Sequence, residues 1–250
     1  MLGQALVAVC LAALWQIGVA ASPQFGASIP TFTDTGAALV RELAVGTLWL
    51  PIGQTLLVTA SGVVICLVIG IPVGLLLASH PFLTISTRFL IDFCRTVPPL
   101  AVIPLFLLFL GPTPQMSIAL IVAVGVWPIL LQTIFGVRNV DPELLSTARS
   151  FRMPLHRRLL FVVAPASMPY IFTGIRISAT LSLLLAIGAE LIAGVPGLGR
   201  EILLSQQATS DRMFALIIVA GALGMVLAFS ILALEKRLLA WHFVPRASAL

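Results

Sequence analysis

The chain has 250 residues, of which 60% are hydrophobic and 9% are charged, whereas a typical soluble domain is about 25% charged. A soluble molecule of this size could not hide so much apolar surface from water, so the composition indicates a protein surrounded by a lipid bilayer. The formal net charge of +5 comes without a basic patch interleaved with aromatic residues, which argues against a nucleic-acid partner.

Six segments are apolar over enough residues to cross a bilayer, which takes about 20 residues of α-helix. The predicted spans are 2–21, 54–79, 98–110 with an extension backward toward Phe89, 116–137, 167–193 and 213–234. The sequence therefore predicts an all-α membrane protein with about six transmembrane helices. We expect residues 1–250 to form a single transmembrane domain.

The first apolar segment has two interpretations. Val19 and Ala21 have the spacing of a signal-peptidase site after an apolar run. No Lys or Arg precedes the run, however, so the basic region of a signal peptide is missing and a retained helix is favoured. The segment 22–53 is then an external loop, and its helical spacing over 34–50 predicts a short helix along the outer membrane surface.

The basic residues predict the orientation, because cytoplasmic loops retain Lys and Arg. With the N-terminus in the cytoplasm, the outer segments hold only Arg41, Arg200 and Arg212 of the 14 Lys and Arg residues. Both termini are therefore predicted to lie in the cytoplasm.

The segment 138–165 is too charged to be a span, since it contains five arginines and two carboxylates. One charge near the membrane centre costs about 3 kcal/mol even on a lenient insertion scale. Asp141 is a suitable helix cap, Pro142 suits the first turn, and a break is expected at Met153 and Pro154. The pattern predicts a helix, a break and a second helix at the membrane face, although an ordinary basic loop would also satisfy the positive-inside rule.

Glu190 is the one acidic residue deep in a predicted span. Ionisable groups in membranes usually face a cavity or a partner, so Glu190 is a candidate for the translocation pathway or its gate, or for a structural pairing. Arg176 is a poor partner, because about 21 Å of helix separates the two residues. Ser178 and Ser182 are candidates for a polar lining, but bonding to their own backbone would explain them equally well.

Prolines are expected to kink the third and fourth spans and so to open cavities between helices. They are Pro98, Pro99, Pro104 and Pro128, and we take the first two as further pathway candidates. Three small residues in the second span predict close contact with another helix: Gly62, Gly70 and Gly74. The 3 cysteines and 3 histidines are scattered singly, so no disulfide framework or metal site is predicted.

Six stretches follow one another in an order typical of one protein family: 95–105 (RTVPPLAVIPL), 140–144 (VDPEL), 147–150 (TARS), 165–176 (PASMPYIFTGIR), 189–191 (AEL) and 197–199 (GLG). They resemble permeases of binding-protein-dependent ABC importers, in particular the nitrate, sulfonate and taurine branch. The resemblance covers about residues 54–240. The charged segment is similar to the cytoplasmic EAA loop of these permeases.

This resemblance implies a type I importer fold and a subunit that forms the pathway for a small, anionic solute without catalytic residues of its own. It implies that the loop is a coupling helix that docks on a separate nucleotide-binding subunit through Ser146, Thr147, Ala148, Arg149, Ser150, Phe151, Arg152, Met153 and Pro154. The implied partners are a second permease subunit, identical or different, two ATPase subunits that carry ATP and Mg, an external substrate-binding protein, and the lipid of the bacterial inner membrane. The chain has no G-x-x-x-x-G-K-[ST] loop, so no bound cofactor is expected.

The match departs from the family pattern at two positions. Ser146 stands where the family usually has an acidic residue, and Arg152 aligns with a glycine in the break between the helices. Glycine allows a left-handed backbone there, which arginine does not adopt freely. These departures suggest the less regular half of a heterodimeric pair.

Two other function classes are open to test. An ion-coupled secondary transporter would use Glu190, although no inverted repeat and only one embedded acid are visible. An intramembrane enzyme would need a metal motif or a Ser/His pair within the spans, and neither is evident in the sequence.

Overall fold

The computed structural model describes residues 2–21 and 29–239, and within them all regular structure is helical. The α-helices in chain order are α1 (Leu2–Ala21), α2 (Phe32–Val45), α3 (Trp49–Ser79), α4 (Pro81–Thr96), α5 (Ile103–Leu110), α6 (Pro114–Arg138), α7 (Pro142–Ser150), α8 (Leu155–Arg158), α9 (Ala164–Ala193), α10 (Leu198–Gln206) and α11 (Ser210–Leu238). A 3-10 turn at Pro99–Val102 leads into α5, and a π-helical turn at Leu159–Val163 joins α8 to α9.

Four helical stretches of the described residues are long and apolar enough to cross a membrane: α3, α6, the continuous run Leu155–Ala193, and α11. They agree with the predicted second, fourth, fifth and sixth spans. The predicted first span, 2–21, coincides with α1, which has 20 residues. The all-helical membrane fold is confirmed.

The third span differs from its prediction as one helix extending backward toward Phe89. Instead, α4 and the segment Pro99–Leu110 meet at 81°. Val97 and Pro98 each precede a proline, and both have extended backbones with ψ of 124° and 117°. The ring of the following proline disfavours helical geometry in the residue before it, so two successive prolines separate α4 from α5. The kink expected at Pro98 and Pro99 is therefore a sharp break.

The predicted outer helix at 34–50 is shorter than expected. Thr31 Oγ1 caps the start of α2 by accepting from the Asp34 N–H at 3.2 Å. Gly46 ends the helix in a left-handed conformation with φ of 78°, which glycine adopts without a steric penalty. Trp49 and Leu50, which were expected in the same helix, belong to α3.

The core lies where α6 packs between α3 and α9. Ile121 and Ile129 of α6 are fully buried there. A Cβ added at Gly70 of α3 would lie 2.9 Å from Ile129 Cγ2, and one added at Gly74 would lie 2.7 Å from Thr133 Cβ. The close helix contact predicted from the small residues of α3 is therefore present, and α6 is the helix that makes it.

Charged side chains join the helices at the end of the bundle opposite α7 and α8. Arg212 of α11 donates from Nε to Glu42 at 2.9 Å and from Nη2 to Glu201 at 3.0 Å. Arg41 pairs with Asp211 at 3.4 Å. These ion pairs connect α2 and α10 to α11, so the three helices are fixed relative to one another at this end of the bundle.

Candidate coupling loop and translocation route

The charged segment folds as a helix, a break and a second helix, as its sequence predicts. Asp141 caps α7, because its Oδ1 accepts from the Glu143 N–H at 2.8 Å. Pro142 occupies the first turn of α7, where its missing N–H leaves no hydrogen bond unmade. Met153 and Pro154 separate α7 from α8.

The end of α7 explains why a glycine suits the position of Arg152. Arg152 has a left-handed backbone with φ of 49°. Its N–H donates to Arg149 O at 2.8 Å, and the N–H of Met153 donates to Ala148 O at 3.1 Å. This pair of bonds is a Schellman motif, which usually has glycine at the left-handed residue. The left-handed geometry inferred from the resemblance is therefore present, with an arginine occupying it.

Most of the predicted coupling residues are accessible. Ala148 is buried and Met153 is half-buried, whereas the other seven are exposed: Ser146, Thr147, Arg149, Ser150, Phe151, Arg152 and Pro154. Phe151 exposes 80% of its surface, and its neighbours in the sequence, Arg149, Ser150 and Arg152, are polar. An exposed aromatic ring in a charged loop is typical of a protein contact surface.

Glu190 is fully buried near the opposite end of α9. Its Oε2 accepts hydrogen bonds from Thr55 Oγ1 and from the Gly199 N–H, both at 2.9 Å. Thr55 Oγ1 also accepts from the Leu198 N–H at 2.9 Å. The carboxylate and the hydroxyl therefore hold the start of α10 against α3 and α9, and a Cβ added at Gly197 would clash with the carboxylate.

The contacts of Glu190 are those of a structural pairing, and its part in the pathway or its gate stays a prediction. Glu190 lines none of the three cavities described below, and its Oε1 has no hydrogen-bond partner among the described residues. Arg176 instead pairs with Glu235 of α11. The sequence argument that Arg176 could not reach Glu190 agrees with this arrangement.

Ser178 and Ser182 are buried between helices rather than in a cavity. Ser178 Oγ donates to Gly125 O of α6 at 2.7 Å, and Ser182 Oγ donates to Ser178 O at 2.7 Å. Ser182 thus bonds to the backbone of its own helix, as its second interpretation has it, whereas Ser178 bonds across to α6. Pro98 and Pro99 do not line the cavities either, but their break positions the neighbouring Val97, which does.

Three cavities lie along the helices. One of about 270 Å³ is lined by neutral residues that include Gln54, Ser61 and Pro196. A second, of about 340 Å³, lies between the end of α4, α6 and α9. A third, of about 390 Å³, lies between α4 and the Arg138 end of α6.

Sequence reasoning missed the polar residues of the second and third cavities, which include Arg95, Gln132 and Arg138. Arg95 is notable in the sequence only as the first residue of the stretch 95–105. A usable signal was the stripe at 124, 127, 128, 131, 132 and 135 of α6, which has helical spacing and contains one amide. Within the described residues, His, Cys, Asp and Glu form no group that could hold a metal ion.

A family model described as "Binding-protein-dependent transport system inner membrane component" matches residues 70–240. The chain belongs to this family. The predicted membership is thus confirmed, and the matched range includes the coupling loop, Glu190 and all of α6.

Two relatives of this chain have names that refer to different solutes. The chain is 38% identical over 171 residues to the bicarbonate transport system permease protein CmpB of Synechococcus elongatus, covering 67% of this chain and 61% of CmpB. It is 34% identical to the putative aliphatic sulfonates transport permease protein SsuC of Bacillus subtilis, covering 70% of this chain and 63% of SsuC. The aligned region thus spans less than two thirds of either relative.

The fold resembles that of a solved transporter. One chain of the MetNI methionine ABC transporter, in an inward-facing conformation, superposes with a TM-score of 0.67 at 17% sequence identity. The match covers 78% of this chain and 98% of the MetNI chain. The helical arrangement expected of an importer permease is therefore confirmed for this inner membrane component.

Proposed function

We propose that this chain is the membrane-spanning subunit of an ATP-driven importer and that it carries a small anion across the bacterial inner membrane. The observation that carries the proposal is the exposed helix-break-helix at Pro142–Arg158, which lies between the spanning helices α6 and α9. Its exposed residues surround Phe151, which gives a partner an aromatic side chain to bury.

The loop is suited to transmit movement into the membrane. Leu155–Ala193 is one continuous helical run of 39 residues, which includes α8, the π turn and α9. A partner that moves α8 therefore acts directly on a spanning helix, and one that binds α7 acts on it through the break at Met153 and Pro154. In our proposal this partner is one of two separate ATPase subunits, which bind ATP and Mg and dock on residues 146–154.

Two features support an anion as the solute. The names of the relatives CmpB and SsuC refer to bicarbonate and aliphatic sulfonates, both of which are anions. The cavity at the Arg138 end of α6 is lined by three arginines and one carboxylate. We further propose that an external binding protein delivers the solute, and that a second permease subunit completes the pathway.

The experiment is co-purification of the full-length chain with the proteins expressed beside it, identified by mass spectrometry. We expect an ATPase subunit to copurify and to be lost when residues 146–154 are deleted. Phe151→Ala should weaken this association by about tenfold, because hot-spot aromatic residues contribute at least about 1.4 kcal/mol each. The same preparation shows whether one permease sequence or two is present.

Phe82→Ala is the matched control. Phe82 is 73% exposed and lies at the start of α4, outside the loop, so its loss should leave the ATPase bound. If the chain purifies alone and transports solute into vesicles without ATP, the proposal fails. Ion-coupled transport that depends on Glu190 would then be the function to test.

A further inference from the structure

The second and third cavities are adjacent, because Arg95, Leu131 and Phe135 line both. The second cavity extends along α6 to Val124 and contains Gln132. The third opens beside Arg138 at the end of α6. A solute that passes directly from one cavity to the other therefore passes Arg95, Leu131 and Phe135.

The third cavity has an excess of positive charge. Its lining includes Arg88, Arg95 and Arg138 but only one carboxylate, that of Asp92. Asp92 is shared, since its oxygens lie 3.2 Å from Arg95 Nε and 3.9 Å from Arg88 Nε. Arg138 forms no ion pair with any residue in 2–21 or 29–239.

The ion pair between Asp92 and Arg95 is weak enough to open. The side chains are 48% and 53% exposed, and exposed ion pairs contribute at most about 1 kcal/mol. An anion that enters the cavity can therefore take the place of Asp92 at little cost. Guanidinium groups are suited to this exchange, because their planar N–H donors match the two oxygens of a carboxylate, bicarbonate or sulfonate group.

The charge is also confined to one end of the route. The first cavity, near Gln54 and Pro196, is lined by no charged residue. Arginines that only keep a loop in the cytoplasm need not line one cavity together. Arg88 and Arg95 of α4 and Arg138 of α6, however, all line the third cavity. Arg237, by contrast, lies at the corresponding end of α11 and lines none of the three cavities.

We propose that Arg95 and Arg138 form a binding site for a small oxyanion in the third cavity, beside its junction with the second, and that Arg95 moves between Asp92 and the anion. The assignment of that anion as the transported solute rests on the proposed function. The phosphate of an anionic lipid headgroup has the same chemistry, so the experiment separates a soluble anion from a lipid.

Cys94 provides a reporter beside the site, because it precedes Arg95 in the chain and lines the adjoining second cavity. The protein is studied as the purified complex in vesicles, with Cys10 replaced by alanine; Cys66 is fully buried. The labelling rate of Cys94 is measured with two methanethiosulfonate reagents, one bearing a sulfonate and one bearing a trimethylammonium group. Their rate ratio reports the electrostatic potential of the cavity without requiring transport or ATP.

We expect the sulfonate reagent to be favoured, and Arg95→Gln and Arg138→Gln each to lower the rate ratio by roughly fivefold. Asp92→Asn should raise the ratio. Arg237→Gln removes the same charge outside the cavity and should leave the ratio unchanged. If Arg95→Gln and Arg138→Gln change the ratio no more than Arg237→Gln does, the proposed site is wrong.

Competition identifies the source of the anion. Methanesulfonate should slow labelling by the sulfonate reagent in vesicles of phosphatidylcholine alone, and Arg95→Gln should abolish this protection, which supports a soluble oxyanion. Protection seen only when phosphatidylglycerol is added supports the site with a lipid headgroup as its occupant. If neither competitor protects Cys94, the site is overturned. A failure of the importer proposal would appear instead as transport without ATP and would leave this labelling pattern intact.

Discussion

Arg152 has a backbone conformation that its side chain does not favour. A residue other than glycine pays about 1 kcal/mol for a left-handed φ, and the value at Arg152 is 49°. The two hydrogen bonds that close the end of α7 maintain this geometry. The arginine is therefore retained at a measurable cost to the stability of the loop.

We expect Arg152→Gly to stabilise the end of α7 by about 1 kcal/mol, because glycine adopts this conformation without strain. Hydrogen exchange at the Met153 amide, which donates to Ala148 O, should slow by about fivefold. Arg149→Gly is the control with opposite sign, since a glycine inside a helix costs about 1 kcal/mol. Equal exchange rates in the two variants would contradict the strain assigned to Arg152.

Glu190 presents a different residue-scale question, because its carboxylate accepts two buried hydrogen bonds. Glu190→Leu would leave the buried Gly199 N–H without its acceptor, whereas the Thr55 hydroxyl could still donate to Pro51 O, 3.1 Å away. Each unsatisfied buried group costs about 1–3 kcal/mol, so the unfolding temperature in detergent should fall. Glu190→Gln keeps one oxygen for the same donors and should remain close to the parent protein.

Transport by the two Glu190 variants separates a structural role from an ion-coupling role. A structural role predicts that Glu190→Gln retains both stability and transport, because the hydrogen bonds rather than the charge are needed. A stable Glu190→Gln protein that no longer transports would show that the carboxylate charge takes part in the transport cycle.

At the scale of elements, the contact between α3 and α6 depends on the absence of side chains at glycine positions. A Cβ at Gly74 would lie 2.7 Å from Thr133 Cβ and 3.0 Å from Leu130 O. Gly74→Ala should force the helices apart and cost about 1–3 kcal/mol, as overpacking does elsewhere. Gly221→Ala in α11 is the matched control, since a Cβ there meets nothing within 4 Å. Thermal unfolding of the two variants in the same detergent measures the difference.

Apolar length and spacing were sufficient to predict α3, α6, α9 and α11, because a span requires a long run of apolar residues whatever its neighbours are. The angle of 81° after α4 could not be predicted, because prolines indicate a break but do not specify its direction. The hydrogen-bond partners of Glu190 could not be predicted either. Thr55 is 135 residues away in the chain, and only the packing of α3 against α9 brings it near.

The residues that line the cavities were the least predictable part of the candidate site. Ser178 and Ser182 were candidates because they are polar residues in a span, yet both satisfy their hydroxyls against backbone carbonyls. Nothing in the sequence marks Arg95 as a cavity residue, and it lines two cavities in the folded chain. A sequence shows which side chains are polar or charged. Which of them line a cavity depends on the angles between the helices.

At the scale of the whole molecule, the distribution of basic residues predicts that α7 faces the cytoplasm and that the end of α10 faces outward. Ser150 and Gln207 are exposed at these two places. Ser150→Cys should react with a membrane-impermeant maleimide only after the cells are permeabilised, whereas Gln207→Cys should react in intact cells. Labelling in the reverse order would invert the predicted orientation and remove the loop from reach of a cytoplasmic ATPase.

The continuous helical run Leu155–Ala193 has a mechanical consequence. At about 1.5 Å per residue, its 39 residues extend about 58 Å, roughly twice the thickness of the hydrocarbon core. A continuous helical run of this length can act as a lever. Tilting it by about 10° around its midpoint moves each end by about 5 Å, close to one helical turn. A small rotation of the helix at the loop would therefore displace the Glu190 end by a similar distance, without a change in the fold at either end.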